Sequence, residues 1–373
     1  MRFSIERAAL LKALNHVQSV VERRNTIPIL SNVLISAQDD GVRFTATDLD
    51  IEISESAPAL VERAGATSAP AHTLYEFVRR LPDGAQIKLD LAGDDPRLLV
   101  WAGKARLQVP VLPPADFPLM PVDSLATRFE TKPQDLARLI DKTRFAISTE
   151  ETRYYLNGIY FHTVANGGGG AVLRSVATDG YRLALADIEA PEGAQGMPGV
   201  IVPRKTIQEL RRLLEDAKDS VEVAVSEQKI RFALGDGVLT SKLIDGSFPE
   251  YVRIIPKANN RIMRIGNKEF AAAVDRVATV SAERSRSVKM ALEGDRLTLT
   301  VNNPDAGLAT EDLAADYASD PLEIGFNAKY LLDVAGQIQG EEAQFEFADS
   351  GSPTLVRDGA DEHALFVLMP LRV

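Results

Sequence analysis

Two aspartates occupy the same place in a repeated tetrapeptide, ATDL at 46–49 and ATDG at 177–180. Asp48 or Asp179 could act as a general base or nucleophile in hydrolysis if a partner base or a metal ligand lay near. No such partner is evident, and the third copy of the pattern has VNN at 301–303. The favoured interpretation is therefore structural: each aspartate caps a strand end by accepting hydrogen bonds from neighbouring backbone N–H groups.

Other residues that carry chemistry are sparse. The histidines His16, His72, His162 and His363 lie far apart without metal-ligand spacing, and the chain has no cysteine. The GxSxG elbow, the Walker A loop and the GxGxxG fingerprint are also missing from the sequence. His16 falls on the polar side of a predicted helix, which favours a surface position. We expect no metal, no cofactor and no catalysis.

The elements that would position these residues repeat three times along the chain. Residues 1–20, 127–148 and 261–281 each open with a short strand pattern, cross one or two polar residues and continue with apolar residues at helical spacing. A period of about a third of 373 residues is a whole domain rather than a solenoid unit. The pattern predicts three similar domains, at residues 1–125, 126–259 and 260–373.

Each third divides again into two similar halves, with the order strand, helix and three strands twice over. Helices are predicted at residues 7–24, 72–81, 133–144, 203–214, 267–286 and 327–338, with Pro133 and Pro203 in first turns. Because strands predominate, the sheets should form an outer layer and the two helices of each domain an inner one. The predicted fold class is α+β, each domain being two β-α-β-β-β units.

Charge is distributed unevenly. The chain has a net charge of −11, yet the predicted helices hold 18 Lys and Arg against 9 Asp and Glu, and the remainder holds 24 against 44. The negative net charge argues against a protein that coats nucleic acid non-specifically, whereas the basic helices on an otherwise acidic body can attract phosphates. The sequence has no run of 18 apolar residues and does not begin like a signal peptide. The absence of cysteine fits a cytoplasmic protein.

Seven segments in order give the chain a family resemblance. They are TIPIL (26–30), ATDLD (46–50), RYYLNG (153–158), ATDGYRL (177–183), VPRK (202–205), TSKLIDGSFPEY (240–251) and MPLRV (369–373). Over essentially its full length the chain resembles the bacterial sliding clamps, the β subunits of DNA polymerase III holoenzyme. The resemblance implies the DNA clamp fold and a non-catalytic processivity factor for DNA replication. Two chains would form a head-to-tail homodimer, a ring of six domains around duplex DNA with the helices lining the hole.

The resemblance also implies site residues. The ring would hold double-stranded DNA by enclosure and by sequence-independent contacts. The matching DNA-contact positions are Arg24, Tyr154, Tyr155, Arg204 and Lys205. Arg24 has an alternative interpretation as a helix-end charge, and of the two tyrosines, on a segment expected to be extended, one could be buried. At the subunit joint, Leu107 of the first domain would meet Thr279 and Val280 of the third, with an edge strand from each subunit pairing.

A pocket for partner proteins is implied between the second and third domains. In the family it receives short linear peptides from the replicative polymerase, the clamp loader and repair proteins. Matching positions are Leu156, Thr178, Gly180, Tyr181, Arg182, Leu183, Pro249, Arg253, Ile254, Asn327, Tyr330, Val367, Met369, Pro370, Leu371 and Arg372. Arg182 and Arg372 are expected at the rim, bonding peptide carbonyls or carboxylates, whereas Leu183 or Val367 alone could belong to the core.

Two departures from the family pattern concern this pocket. Tyr181 stands where histidine is common, and the final segment is MPLRV where MPMRL is familiar, so peptide preference should differ in detail. Two alternatives to a processivity ring remain open at this point. One is a hydrolase using Asp48 or Asp179, and the other is a repeat scaffold that binds only protein.

Overall fold

The structure is a computed structural model that describes residues 1–39, 41–91, 93, 96–121, 125–166, 169–281 and 286–372. The described residues form six α-helices, α1 (Arg7–Gln18), α2 (Ala71–Arg79), α3 (Pro133–Thr143), α4 (Arg204–Leu213), α5 (Asn267–Ala278) and α6 (Ala328–Ala335). None of these helices is both long and apolar enough to cross a membrane.

Strands make up most of the remaining regular structure. The first third contains β1 (Arg2–Glu6), β2 (Asn32–Gln38), β3 (Gly41–Thr47), β4 (Ile51–Pro58), β5 (Leu60–Arg63), β6 (Gly65–Pro70), β7 (Gln86–Asp90), β8 (Arg97–Ala102) and β9 (Ala105–Pro110). The second contains β10 (Thr127–Thr131), β11 (Gly158–Ala165), β12 (Ala171–Thr178), β13 (Arg182–Glu189), β14 (Val200–Pro203), β15 (Val221–Val225), β16 (Lys229–Leu234) and β17 (Gly237–Lys242). The last contains β18 (Arg261–Gly266), β19 (Ser287–Glu293), β20 (Arg296–Asn303), β21 (Gly307–Ala314), β22 (Asp316–Tyr317), β23 (Leu322–Asn327), β24 (Glu342–Phe347), β25 (Thr354–Asp358) and β26 (Asp361–Leu368).

The predicted internal repeat is present in this element order. Each third begins with a strand and a helix, continues with further strands, and ends with a second helix and three strands. The strand that opens each second half, β6, β14 or β23, runs directly into α2, α4 or α6. The sequence pattern predicts this order but gives no residue range for these three strands.

All six predicted helices exist, with differences at their ends. α1 ends at Gln18, so Arg24 lies in the following loop and its interpretation as a helix-end charge is wrong. α5 ends at Ala278, and residues 282–285 of the longer predicted helix lie outside the described residues. The observed helices hold 12 Lys and Arg against 7 Asp and Glu. The excess of cations is smaller than predicted and keeps its sign.

Prolines mark two of the helix starts differently. Pro133 is the first residue of α3, as predicted, where its missing N–H costs no hydrogen bond. Pro203 instead ends β14, and α4 begins one residue later at Arg204. Each helix buries one apolar stripe, as in α4, where Ile207, Leu210 and Leu213 are buried.

The chain divides into two compact units. Unit 1 comprises Met1–Gln134, Pro191–Pro198 and Lys205–Leu243. It contains a five-stranded sheet, order β5-β1-β7-β8-β9, and an eight-stranded sheet, order β10-β15-β16-β17-β4-β3-β2-β6. In the larger sheet β17 pairs antiparallel with β4, so strands of the second third continue the sheet of the first. This pairing removes two strand edges that would otherwise be exposed.

Unit 2 comprises Asp135–Ala190, Gly199–Arg204 and Ile244–Val373. It contains a nine-stranded sheet, order β14-β11-β12-β13-β26-β25-β24-β18-β22, and a four-stranded sheet, order β21-β20-β19-β23. Here β13 pairs antiparallel with β26, Leu183 lying opposite Val367. Because the sheets join across the predicted domain boundaries, the two compact units do not coincide with the three predicted domains. The boundaries at residues 125/126 and 259/260 stay a prediction.

Candidate functional site

The repeated aspartates cap tight turns at strand ends, as predicted. The Asp179 Oδ1 accepts hydrogen bonds from the backbone N–H groups of Tyr181 at 2.9 Å and Arg182 at 3.0 Å. Asp48 Oδ1 accepts two backbone N–H groups in the same way, at 3.0 and 2.7 Å. Each carboxylate is thus committed to its turn. Among the described residues, no cluster of three or more His, Asp or Glu side chains could hold a metal ion.

The turn at residues 178–180 explains two predicted residues. The buried Thr178 hydroxyl donates to the Arg182 carbonyl at 2.7 Å and accepts the Gly180 N–H at 3.1 Å. Gly180 has φ +90°, and a Cβ atom there would lie 2.5 Å from Nη1 of Arg153. Glycine adopts this backbone conformation without strain, and its missing Cβ leaves room for the Arg153 guanidinium. Arg153, which the sequence does not single out, donates to the Asp179 carbonyl at 3.3 Å.

Arg182 does not lie at the rim, so its predicted role is wrong. The residue is 7% exposed, and its guanidinium stacks over the Tyr330 ring at 4.4 Å. Its Nε donates to Asp179, its Nη1 to Asp333 and its Nη2 to the Phe145 carbonyl at 2.6 Å. Because each of its three nitrogens already has an acceptor in the protein, Arg182 positions Tyr330 and the turn rather than offering donors to a ligand.

A cleft opens beside this buried arginine. Its volume is about 370 Å³, and the lining residues are Tyr181, Ser287, Asn327, Tyr330, Met369, Leu371 and Arg372. Six of the seven are predicted pocket positions, and Ser287 is the addition. Tyr181 is half exposed, whereas burial and the nearby charge of Asp179 raise the pKa of the Tyr330 hydroxyl. Apolar, aromatic and amide groups with one exposed cation suit a short peptide with an apolar side chain.

The wall formed by residues 369–372 is anchored on both sides. The Met369 N–H donates to the Tyr181 carbonyl at 2.9 Å, and the Leu371 N–H donates to the Gly325 carbonyl at 2.8 Å. Gly325 belongs to β23, and Tyr181 precedes β13, so this segment crosses from the nine-stranded to the four-stranded sheet. Pro370, between the two anchors, is half-buried. The segment is therefore a fixed wall with a flexible Met side chain.

Four predicted pocket residues besides Arg182 are buried. Leu183 and Val367, 2% and 1% exposed, belong to an apolar core cluster with Tyr251 and three further residues of the nine-stranded sheet. Their core interpretation is confirmed, and they lie opposite each other on β13 and β26, in the middle of that sheet. Leu156 and Thr178 are each 4% exposed.

The remaining predicted pocket residues lie on the segment that leads through Tyr251. Tyr251 begins a single 3₁₀ turn and is buried in the core cluster. Pro249 lies just before this turn, and its carbonyl accepts a hydrogen bond from the Tyr251 N–H at 2.7 Å. Arg253 and Ile254 are exposed. The Arg253 guanidinium contacts only the neighbouring Glu250 carboxylate among the ion pairs of the described residues. The side chains of Arg253 and Ile254 are therefore open to solvent, and neither lines the cleft.

The five predicted DNA-contact residues are placed as follows. Arg24 is exposed in the loop after α1, within unit 1. Tyr154 is 54% exposed and Tyr155 half-buried, their rings meeting edge to face at 5.8 Å. They lie in Glu151–Leu156, which forms two short 3₁₀ turns separated by a kink at Arg153, so the extended segment expected there is wrong. One tyrosine is nevertheless more buried than the other. Arg204 begins α4 and is exposed. Tyr154, Tyr155 and Arg204 belong to unit 2.

Lys205 is held by acidic partners. Its Nζ donates to Asp48 Oδ2 at 2.5 Å, to Glu22 Oε1 at 3.3 Å and to the Val20 carbonyl at 3.4 Å. All four residues belong to unit 1. Burial lowers the pKa of Lys205, but the hydrogen bond and charge of Asp48 outweigh this effect and raise the pKa above its ordinary value. The ammonium is therefore charged and has its three donors directed at protein acceptors.

Two terminal strands bear on the predicted subunit joint. Leu107 is half-buried in β9, which ends the five-stranded sheet, and it lines a groove of about 570 Å³ beside Trp101. Thr279 and Val280 follow α5 directly, exposed and half-buried. The Val280 carbonyl accepts a hydrogen bond from Asn303 Nδ2 at 2.9 Å. Asn303 ends β20, the neighbour of β21, and β21 is the edge strand of the four-stranded sheet.

His16 is buried, so its predicted surface position is wrong. The side chain is 5% exposed, with Nδ1 3.0 Å from Glu55 Oε2 and Nε2 3.0 Å from Asp216 Oδ2. Lys12 also contacts the Glu55 carboxylate, at 3.1 Å. Burial tends to raise the pKa of Glu55, but its bonds to His16 and Lys12 bring that pKa below the ordinary value. Helical spacing places His16 on the polar side of α1. It could not show that Glu55 of β4 and Asp216, after α4, cover the ring there.

Comparison with protein families gives three matches that together cover most of the chain. Models of the DNA polymerase III beta subunit match it in sequence, the N-terminal domain over residues 1–121, the central domain over 130–250 and the C-terminal domain over 252–372. The beta sliding clamp of Caulobacter vibrioides is 62% identical over 373 residues, covering all of both chains. That of Escherichia coli K12 is 37% identical over 376 residues, also covering both chains fully.

Solved structures agree with these matches. The crystal structure of the C. crescentus beta sliding clamp superposes with a TM-score of 0.98 at 62% identity, covering 100% of this chain and 99% of the other. A sliding clamp from Bartonella birtlesii, solved bound to griselimycin, gives a TM-score of 0.97 at 50% identity and full coverage of both chains. The similarity therefore extends over the whole fold and is not limited to the cleft.

Proposed function

Because this chain belongs to the DNA polymerase III beta subunit family, we propose that the residues described above serve a sliding clamp. The protein is a DNA sliding clamp that encircles duplex DNA as a head-to-tail ring dimer and tethers the replicative polymerase for processive synthesis. It is a non-catalytic processivity factor for DNA replication. The observation that carries this conclusion is the full-length identity of 62% with a beta sliding clamp.

DNA contact is proposed for Arg24, Tyr154, Tyr155, Arg204 and Lys205. The exposure of Arg24, Tyr154 and Arg204 supports the proposal, because cations and aromatic faces that reach solvent can meet a phosphate backbone. These contacts read no base edges, which suits a ring that must slide. The hydrolase alternative loses its support, because Asp48 and Asp179 are both committed to turns.

The cleft of unit 2 is proposed as the site for partner peptides from the polymerase, the clamp loader and repair proteins. Tyr181, Tyr330, Met369 and Leu371 offer apolar surface, and Arg372 offers exposed donors at the rim. Leu183 and Val367 would act as the buried support of this surface rather than as contacts. Arg253 and Ile254 would meet the part of a peptide that continues beyond the cleft.

The subunit joint is proposed between β9 of one chain and β21 of the next. Both strands end their sheets, so their outer backbone groups can pair and continue the sheet across subunits. The charges are complementary: Arg106 lies on β9, whereas Asp312 lies on β21. Leu107 would then pack against Thr279 and Val280. Joining two different surfaces gives the head-to-tail arrangement that closes a ring.

Two coarser expectations belong to the same proposal. We place domain boundaries at residues 125/126 and 259/260, supported by the internal repeat of the element order. We also place the protein in the cytoplasm, where bacterial chromosomal DNA is replicated.

Retention on DNA tests the ring directly. The protein is loaded by a clamp loader onto a nicked circular plasmid, which is then linearised in one half of the sample. Enclosure predicts that the protein stays on the circle through gel filtration and leaves the linear molecule by its ends. Equal loss from both forms would rule out topological holding and with it the proposed function.

A further inference from the structure

We propose that Asp48 and Glu22 hold Lys205 away from DNA phosphates and so lower the friction of the sliding ring. This inference rests on the proposed function, since it concerns one of the proposed DNA-contact cations. It adds two acidic residues that control how strongly that cation can act. Its basis is the arrangement of acceptors around the Lys205 ammonium.

The ammonium has three N–H donors and three acceptors within reach. Asp48 Oδ2 lies at 2.5 Å, Glu22 Oε1 at 3.3 Å and the Val20 carbonyl at 3.4 Å. A phosphate can therefore bind Lys205 only by replacing one of them. Glu22, with its side chain 60% exposed, is the partner most easily replaced, whereas the Asp48 side chain is only 12% exposed.

The local charge points the same way. One cation faces two carboxylates, so the cluster of Lys205, Asp48 and Glu22 carries a net charge of −1 at neutral pH. A cation that is already compensated releases fewer counterions from DNA and attracts phosphates less. For a ring retained by enclosure, weak attraction is an advantage, because each strong phosphate contact must break at every sliding step.

Asp48 is built to hold this position. Its Oδ1 accepts two backbone N–H groups of its own turn, which leaves Oδ2 directed at Lys205. The turn places Leu49 at φ +79°, a conformation that a leucine rarely adopts. The homologous turn at residues 178–180 puts glycine in that place and directs its aspartate at the buried Arg182 instead. The same motif thus positions a carboxylate against a different cation in each of the two repeats that contain it.

The substitution Asp48→Asn tests the inference with little change to the turn. An amide oxygen can still accept both backbone N–H groups, while the charge on the Lys205 side is lost. Glu22→Gln, at an exposed side chain, is the second test variant. Asp50→Asn is the matched control, since Asp50 lies in the same turn, carries the same charge and pairs with Lys242 at 3.0 Å.

The measurement is one-dimensional diffusion of loaded rings on end-blocked DNA, followed by single-molecule fluorescence over a range of salt concentrations. We expect Asp48→Asn to slow diffusion about two- to fivefold at low salt, the range of a partly exposed ion pair. Glu22→Gln should slow it less, Asp50→Asn should not, and the difference should vanish at high salt. Adding Lys205→Ala to Asp48→Asn should abolish the slowing.

Two results would overturn the inference alone. One is a retained ring whose diffusion does not respond to Asp48→Asn or Glu22→Gln. The other is slowing that does not depend on Lys205. It would either persist after Lys205→Ala is added or be reproduced by Asp50→Asn, and the second case would make it an effect of net charge. Loss of the unsubstituted ring from end-blocked DNA would overturn the proposed function as well.

Discussion

Arg182 offers the sharpest test of how the cleft is built. Replacing it with alanine would leave Asp179, Asp333 and the Phe145 carbonyl without their shared donor and remove the stacking on Tyr330. Removing one partner of a buried ion pair typically costs about 3–5 kcal/mol. Since the Asp333 side chain is 29% exposed and can regain water, we take the lower end, about 3 kcal/mol. For a unit of this size that is a fall in melting temperature of roughly 6–12 °C.

Two measurements on the same protein separate support from contact. Thermal unfolding gives the stability, and fluorescence anisotropy gives the affinity for a labelled clamp-binding peptide of a replicative polymerase. Arg182→Ala should lower both, because Tyr330 and the turn lose their common anchor. Arg182→Lys should recover part of the stability through one ion pair, but not the stacking or the planar fork. Arg264→Ala, at an exposed arginine of the same unit, should change stability by less than about 0.5 kcal/mol.

The reasoning would be refuted by a particular combination. If Arg182→Ala melts within about 2 °C of the unsubstituted protein but no longer binds the peptide, Arg182 contacts the ligand directly. Its sequence-predicted role at the rim would then be right, and the buried anchor would be wrong.

Four further outcomes are expected. Deleting residues 369–373 should abolish peptide binding and leave the dimer intact by analytical ultracentrifugation; unchanged peptide affinity would contradict the cleft, and Val373 itself lies outside the described residues. Leu107→Glu should shift the protein to monomers in the same assay, whereas Leu60→Glu, at an exposed residue of the opposite edge strand β5, should not. Arg24→Glu should slow loading onto DNA while circular dichroism and melting stay unchanged, and normal loading would exclude Arg24 from DNA contact. Burial tends to raise the pKa of Asp361, but its hydrogen bond to Arg138 brings that pKa below the ordinary value of 3.8. The ionised carboxylate therefore stabilises the fold fully above pH 3.8, and this stabilisation is lost as the pH falls through the lower pKa of the folded state. In urea titrations the difference in stability between the unsubstituted protein and Asp361→Asn should disappear below about pH 4.

Much of the molecule was predictable from local patterns. Helical spacing and Pro133 located the helices, because an amphipathic stripe and a first-turn proline act over a few residues. The threefold repeat followed from segments that each encode the same strand and helix. The capping role of Asp48 and Asp179 was also predictable, since a side chain that bonds backbone groups two and three residues away needs no distant partner. The positions of the cleft and joint residues came from family resemblance.

The sequence by itself therefore determined the elements, their repeating order and the turns, all of which depend on neighbours along the chain. Only the tertiary structure decided the partners of the long cationic and imidazole side chains. Arg182 is buried because α6 brings Asp333 and Tyr330 to it, and His16 is buried because Glu55 and Asp216 meet on either side of its ring. Lys205 is likewise held by residues more than 150 positions away in the chain. Burial of a charge depends on which groups the fold gathers around it, and no local pattern specifies that.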